Sequence, residues 1–504
     1  MRPSRFDLAA LAGLVVVLAL LWGRGLPTWY WTDEGLSLGI SSHPLGQMRE
    51  LLAQDTSPPL YHVFLLGWLR LFGSSEASTH SLSLLFALAT VPAALWAGWS
   101  LFDRRTGWMA AGLAAASPFL AFYATETRMY SLVALLSLLT TATFLHAFVF
   151  RRRRFLPAFA VLIALLLYAQ YWGIFFALGA GAAVVVCWAR GPDRRRLVID
   201  AALAFGAAAV LFTPWVPTLL YQRAHSAVGW ALPPTMQLVR DDVVGLVGGP
   251  AAAVALALCG GTALMVMLRR PWNDASIVIV VAVVVSLVVV GAGWATSRAS
   301  SQWHGRYLGI LLGPLLLALG AALARAGDLA IPVVVIVGIL SGPFAVPSAR
   351  NAKSNVPEWV EETSPLLLEN DVVFGPIGDI PLLAHYLPDG LRYATTTGPV
   401  KDPLAADWRD AVERLDRTDP VATLSPLVES LAAGGHVLVT CPTAEEADLV
   451  GLPTYIQLEI RRCRQGTHHL LERRDLRVER AFPHPRASGS PHETRLLTKV
   501  APAS

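Results

Sequence analysis

The chain has 504 residues, 54% hydrophobic and 15% charged, whereas soluble domains average about 25% charged, and this excludes a single soluble globular fold. Lys+Arg 40 against Asp+Glu 36 leaves a net charge of only +4, which gives no reason to expect a nucleic-acid partner. Lysine occurs only at Lys353, Lys401 and Lys499.

Before Pro347 the chain is a series of apolar runs joined by short polar loops, and after it acidic residues become frequent. Composition therefore predicts a polytopic α-helical membrane domain over 1–346, an extracytoplasmic α/β domain over 347–480, and a Pro- and Ser-rich disordered tail over 481–504. The first run, 8–22, follows Arg2 and Arg5 as a signal sequence would. No small-residue cleavage site follows it, so it reads as a retained anchor with its N-terminus in the cytoplasm. Further runs of about span length are 81–102, 108–122, 130–150, 155–168, 172–189, 197–219, 249–268, 275–293, 307–324 and 329–346, giving about 11 spans.

Segment 58–73, "PPLYHVFLLGWLRLFG", is apolar enough to cross, but charge argues against it. If it does not cross, Arg104 and Arg105, Arg151 to Arg154, Arg190 with Arg194 to Arg196, Arg269 with Arg270, and Arg325 all face the cytoplasm. If it crosses, the first four of these clusters move outside. The segment is therefore predicted to be an interfacial helix with Arg70 at its polar end. Loops 24–80, 123–129, the Gln170 turn, 220–248 and 294–306 then share the outer face with the C-terminal domain.

Within that domain, strand-like runs at 372–374, 437–440, 457–460 and 469–471 alternate with helical ones at 382–386, 408–415, 427–432 and 444–450. "GPIGDIPLL", 375–383, reads as a turn before a helix rather than a phosphate cradle. Cys187 and Cys259 fall inside spans as small apolar residues. Cys441 and Cys463 fall in the outer domain, where oxidising conditions permit a disulfide without requiring one.

Three acidic sites lie in the first two outer loops: Asp33 with Glu34 in "TWYWTDEGLSLGIS", Asp55 before Pro58 and Pro59, and Glu126 in "FYATETRMYSL". Taken singly, these are a helix start, a turn and a local ion pair. Together, beside aromatic residues at the hydrocarbon boundary, they are costly unless they line a wet cavity. Arg128, Arg298, His304 and Arg306 add cations on the same face. Acids with arginines at a membrane surface suit a substrate that offers a nucleophilic hydroxyl and a phosphate.

These residues fall within a longer pattern: "TDEG", "DTSPPLYHVFLLGWLRLFG", "SLSLLFALATVPAALW", "YATETRMYSL", "YAQYWG", "TPWVPTLL" and "GRYLGILLGPLLL". In this order, across roughly the first 330 residues, the pattern resembles the GT-C glycosyltransferases. Within them it is most similar to the protein O-mannosyltransferase and aminoarabinose-transferase-like group (glycosyltransferase family 39-like). The resemblance implies a polyprenyl-phosphate-linked sugar donor, a glycan, glycolipid or protein acceptor, and transfer on the extracytoplasmic face. By position Asp33 matches the family's first-loop acid, its usual candidate base, and Glu126 the second-loop acid. Arg128, Tyr130, Arg306 and Tyr307 fall on commonly retained positions. His80 stands where relatives commonly carry Arg, and Glu126 where several carry Asp.

The expected chemistry is inverting transfer. Asp33 deprotonates the acceptor hydroxyl, Arg306 and Arg128 offset charge on the departing phosphate, and Glu34, Asp55 and Glu126 position the acceptor or hold a divalent cation. His304 and Tyr307 belong to the donor-binding set. Tyr61, His62 and Trp68 are expected near the lipid's mouth. No His-rich metal signature is present, so a divalent cation stays open and unassigned. The competing readings are a lipid or sugar transporter or flippase, and an inactive scaffold of the same fold.

Overall fold

The computed structural model describes residues 4–190, 193–226, 229–269, 274–300, 302–340, 353–354, 356–442, 446–482 and 492–501. The N-terminal part is helical: α1 (Arg5–Trp22), α2 (Thr32–Ser42), α3 (Leu45–Gln54), α4 (Leu60–Phe72), α5 (Glu76–Leu101), α6 (Arg104–Ala115), α7 (Pro118–Tyr123), α8 (Tyr130–Phe144) and α9 (Leu156–Ala169). It continues through α10 (Gly173–Arg190), α11 (Arg194–Phe212), α12 (Val216–His225), α13 (Met236–Leu246), α14 (Pro250–Arg269), α15 (Asp274–Ala299), α16 (Leu312–Ala324) and α17 (Ala330–Leu340).

Where described, all eleven apolar runs are built on helix, but a count of eleven spans is not confirmed. Among the described residues six helical stretches are long and apolar enough to cross a membrane: Arg5–Gly25, Glu76–Leu101, Tyr130–Val149, Arg194–His225, Ser276–Ala299 and Gly305–Ala324. A seventh arises if Met236–Leu246 and Pro250–Cys259, bent by 68°, form one span. The remaining runs lie on shorter helices: α10 has 18 residues, α9 14, α6 12 and, within the described residues, α17 11. At 1.5 Å per residue, 14 residues reach about 21 Å against a hydrocarbon core of about 30 Å. The part of the last run beyond Leu340 lies outside the described residues. The chain is a multi-pass membrane protein, and α4, with 13 residues, is also short for a span.

Close helix approach is carried by glycine, as is usual where lipid rather than water surrounds a bundle. A Cβ on Gly98 of α5 would stand 2.8 Å from the Cα of Gly107 on α6, and one on Gly313 of α16 would stand 2.5 Å from the Leu138 amide of α8. Away from the acidic loops, Asp7 at the start of α1 accepts from Arg104 and Trp108, and Arg153 pairs with Asp200.

The C-terminal domain holds α18 (Val356–Thr363), β1 (Val372–Gly375), α19 (Ile380–Tyr386), β2 (Arg392–Thr395), β3 (Gly398–Pro399), α20 (Ala411–Arg417), α21 (Pro420–Glu429), β4 (His436–Pro442), α22 (Thr454–Glu472), β5 (Leu476–Phe482) and β6 (His492–Lys499). Its sheet runs β3-β2-β1-β4-β6-β5, with β2-β1-β4 parallel and β3, β6 and β5 antiparallel to their neighbours. Alternation along the strands divides the core. Val373, Leu438 and Leu496 pack with Trp359, Leu382 and, from the membrane domain, Tyr30 and Leu38. Val372, Phe374, Val437, Val439 and Leu497 pack on the other face with Leu424, Val428 and Cys463.

Two expectations are corrected here, and one left open is decided. Segments 457–460 and 469–471 are not strands but lie in α22, whose buried Ile460, Cys463 and Leu470 recur at helical spacing. Residues 492–499, assigned to a disordered tail, form β6, a strand placed between β4 and β5. Within the expected tail, 483–491 and 502–504 lie outside the described residues. Cys441 and Cys463 form a disulfide.

The two domains meet along α2. A Cβ on Gly35 would stand 2.7 Å from the Leu382 backbone, and one on Gly39 would stand 2.0 Å from the Leu404 carbonyl oxygen. Gly39→Ala is therefore expected to destabilise the protein by about 1–3 kcal/mol, although alanine favours helix by about 1 kcal/mol. Gly46→Ala on α3, with nothing within 4 Å, is expected to be neutral or stabilising. Thermal unfolding checks the pair, and equal gains from both would contradict tight docking of the sheet domain on α2.

Candidate active site

Helix α2 starts at Trp31, whose extended backbone leaves its amide to be taken by the Glu34 carboxylate at 3.3 Å. Asp33 and Glu34 thus occupy the first turn, where the helix dipole favours acids. The loop between α7 and α8, carrying Glu126 and Arg128, packs against this turn. So does the 3₁₀ segment Gly305–Leu311, which carries Arg306 as its second residue.

Asp33 accepts from Arg306 Nη1 at 2.5 Å and lies 3.7 Å from Arg128 Nη2. Arg128 also donates to the Asp33 carbonyl at 3.1 Å and to Ser37 Oγ at 2.9 Å. Trp31, Tyr130, Trp230 and Tyr307 surround the Arg306 guanidinium, with ring centroids 5.0 to 5.8 Å away, a cation–π cage that fixes its direction. His304 caps the Arg306 amide at 3.3 Å and packs on Trp230. Tyr307 packs in turn on Trp172.

Glu34 is fully buried and occupied on both oxygens. His80 Nε2 lies 2.7 Å and the Thr127 amide 2.6 Å from Oε1, and Lys353 Nζ lies 3.1 Å from Oε2. Lys353 also donates to the Thr125 carbonyl at 2.5 Å. Glu126 is 2% exposed, and among the described residues its Oε2 has no hydrogen-bond partner; Arg128 Nε and Arg306 Nε are likewise buried without one among them. Buried polar groups are normally satisfied, so an acid and two guanidiniums left short of partners beside each other mark a place for a polar ligand.

The electrostatics separate the acids. Burial pushes the Asp33 carboxyl up, but the Arg306 and Arg128 guanidiniums outweigh it and hold Asp33 below the usual carboxylate range. For Glu34, burial is likewise outweighed, by Lys353 and His80. Burial pushes Glu126 well up, and the Glu34 and Asp33 charges add to this against the opposing Lys353. His304 is held down at about 4 by burial and by Arg306. One site therefore holds two acids pushed down and one pushed up, the kind of separation that general acid–base sites share.

The structure thus brings together Asp33, Glu34, Glu126, Arg128, Tyr130, His304, Arg306 and Tyr307 from loops far apart in sequence. Asp55, Tyr61 and His62 have hydrogen-bond partners outside this group, although Arg128 lies within electrostatic reach of Tyr61 and His62. Asp55 ends α3, accepts from the Ser57 amide at 3.2 Å and borders Tyr171. Tyr61 and His62 are buried beneath the site, bonded to Ser83 and Ser41 at 3.0 and 3.1 Å, because α4 turns them inward and leaves Phe64, Leu71 and Phe72 exposed. Arg298 is exposed in the last turn of α15.

Sequence reading missed Lys353, Trp31 and Trp230, and missed how far the sheet domain contributes. Trp230 packs against that domain's Ile377, Ala406 and Tyr455 cluster. Asp379, within "GPIGDIPLL", accepts from Thr32 Oγ1 at 2.7 Å and pairs with His492 at 2.9 Å. The one available signal was the rarity of lysine in an arginine-rich chain, which singles out Lys353 at the domain junction. Among the described residues no group of three His, Cys, Asp or Glu side chains is arranged to hold a metal ion.

No family model matches the sequence, and no curated protein matches it. Solved structures do match in fold. ArnT from Cupriavidus metallidurans bound to undecaprenyl phosphate aligns with TM-score 0.58 at 14% identity, covering 85% of this chain and 93% of that one. The archaeal oligosaccharyltransferase AglB from Archaeoglobus fulgidus, in complex with an inhibitory peptide and a dolichol-phosphate, aligns with TM-score 0.55 at 10% identity, over 96% and 80%. The mycobacterial arabinofuranosyltransferase AftD aligns with TM-score 0.52 at 15% identity, over all of this chain and 42% of its own length. The chain therefore shares the fold of these structures.

Proposed function

We propose that this protein transfers a monosaccharide from a polyprenyl-phosphate-linked donor to an acceptor hydroxyl, with inversion, on the extracytoplasmic face of the plasma membrane. The observation that carries the reading is the Asp33–Arg306–Arg128 cluster with its unpartnered guanidinium nitrogens, on a GT-C-like fold. Planar guanidiniums match phosphate oxygens bidentately. Positive-inside loop charges and the disulfide, a feature of oxidising compartments, support placing the sheet domain outside.

Asp33 Oδ2 takes the acceptor's proton as the acceptor oxygen bonds to the anomeric carbon. The carbon–oxygen bond to phosphate breaks on the opposite face, and polyprenyl phosphate leaves carrying the electron pair. Phosphate is already a good leaving group, so one base suffices, unlike glycoside hydrolysis with its two carboxyl groups. In the ligand-free site, Arg306 and Arg128 hold Asp33 as a weak base. A donor phosphate competes for the same guanidiniums, so its arrival releases Asp33 to accept a proton. Glu126 positions the acceptor.

Thermal unfolding in detergent tests the donor class. Polyprenyl phosphate is expected to raise Tm, while the corresponding polyprenol is not, and Arg306→Gln is expected to abolish the rise. Equal stabilisation by alcohol and phosphate would count against a phosphate site.

A further inference from the structure

We propose that Lys353, at the junction between the membrane and sheet domains, is a positioning residue that locks the two acid-bearing loops into one site. The inference rests on the transferase reading above only for its kinetic consequence. The geometry stands by itself. Lys353 Nζ spans two loops, donating to Glu34 in the first turn of α2 and to the Thr125 carbonyl in the loop before α8. Glu34 in turn accepts the Thr127 amide. Lys353, Glu34, Thr125 and Thr127 thus close a ring around Glu126, which lies between the two threonines.

Burial makes this ring consequential. Glu34 is fully buried, and its lysine partner's side chain is 11% exposed. A buried carboxylate that loses its cation is strongly destabilised and either protonates or moves. A neutral carboxyl accepts the Thr127 amide more weakly and a displaced one not at all, so the flanking Glu126 and Arg128 lose their registration with Asp33. Among the described residues Lys353 is the one lysine bonded to Glu34, and Lys499 is bound to the carbonyls of Val428, Glu429 and Leu431.

The same face of the sheet domain makes three more polar contacts around α2. Asp379 takes Thr32, Tyr386 Oη accepts the Tyr30 amide at 2.9 Å, and Asp402 pairs with His43 at 2.9 Å. Lys353 differs from these in reaching the acids themselves. The sheet domain thereby becomes a condition of site assembly, because its docking holds the segment that carries Lys353 over Glu34.

The test combines kinetics with a measurement that needs no substrate. Lys353→Met is expected to lower kcat by about 100-fold, as small misplacements of catalytic groups do, with KM for the donor changed by less than about threefold. Lys353→Arg, which keeps the charge, is expected to recover most of kcat. Hydrogen exchange of the 125–129 amides in the full-length, ligand-free protein is expected to quicken at least about tenfold in Lys353→Met and to stay near wild type in Lys353→Arg. Unchanged exchange and unchanged kcat would overturn the proposal, as would an equal loss in Met and Arg variants. If the wild type shows no donor-dependent turnover while exchange responds as expected, the transferase reading fails and the positioning role stands.

Discussion

Asp33→Asn is expected to lower sugar transfer by about 1,000- to 10,000-fold while leaving polyprenyl phosphate binding intact or tighter. That is the upper part of the range of about 100- to 10,000-fold that a general base contributes. The binding prediction follows from charge: Asp33 accepts from Arg306 and stands beside Arg128, so neutralising it frees both guanidiniums for phosphate. The loss should therefore appear in kcat rather than in KM, the signature of an interaction made only in the transition state. Steady-state kinetics beside lipid-phosphate titration separate the two. A variant that loses binding and turnover together would make Asp33 a structural partner of the arginines rather than the base.

Arg306→Gln is expected to cost about 100- to 1,000-fold in kcat/KM, the range for removing one preorganised donor from a developing negative charge. Its pH profile carries a sharper consequence. In the wild type, Arg306 helps hold the Asp33 carboxyl below the usual carboxylate range. A base is active above its pKa, so the wild-type acidic limb of kcat/KM lies at low pH, and activity is lost only as pH falls through that depressed value. Without Arg306 the Asp33 pKa rises, so the limb is expected to move upward by about 1 pH unit or more. A limb that stays in place despite the lost activity would mean that another group supplies the base.

Much of the membrane domain was legible because each apolar run had only helix available to satisfy its backbone in lipid. The number of spans was not. Apolarity identifies helices, but α6, α9 and α17 are short, and whether a short helix crosses depends on what it packs against. The acids were legible for a related reason: Asp33, Glu34 and Glu126 are costly at a hydrocarbon boundary, so their presence signals a cavity. Arg306 could be placed beside them only through the resemblance of "GRYLGILLGPLLL", since nothing local says that a residue 273 positions on will meet Asp33.

The errors share a cause, which is that side-chain direction is a tertiary property. Tyr61 and His62 were expected near the lipid's mouth, and the sequence did not show that the face of α4 that meets α2 and α5 carries them inward. Segments 457–460 and 469–471 look like strands when read four residues at a time, and only the longer 3.6-residue period of α22 identifies them as helix. Residues 492–499 follow a Pro- and Ser-rich stretch that obscured an alternating strand pattern. Lys353 gave only a compositional signal, because its partners Glu34 and Thr125 lie more than two hundred residues away.

The central claim is that the Asp33–Arg306–Arg128 cluster moves a sugar off a lipid phosphate. The most direct measurement is release of polyprenyl phosphate by the purified, reconstituted protein, across a panel of polyprenyl-phosphate monosaccharides with membrane extract as acceptor. The expected result is turnover with one donor, which also identifies the sugar, and its disappearance in Asp33→Asn. Wild-type protein that binds polyprenyl phosphate yet consumes no donor, or an Asp33→Asn variant as active as the wild type, would contradict the account.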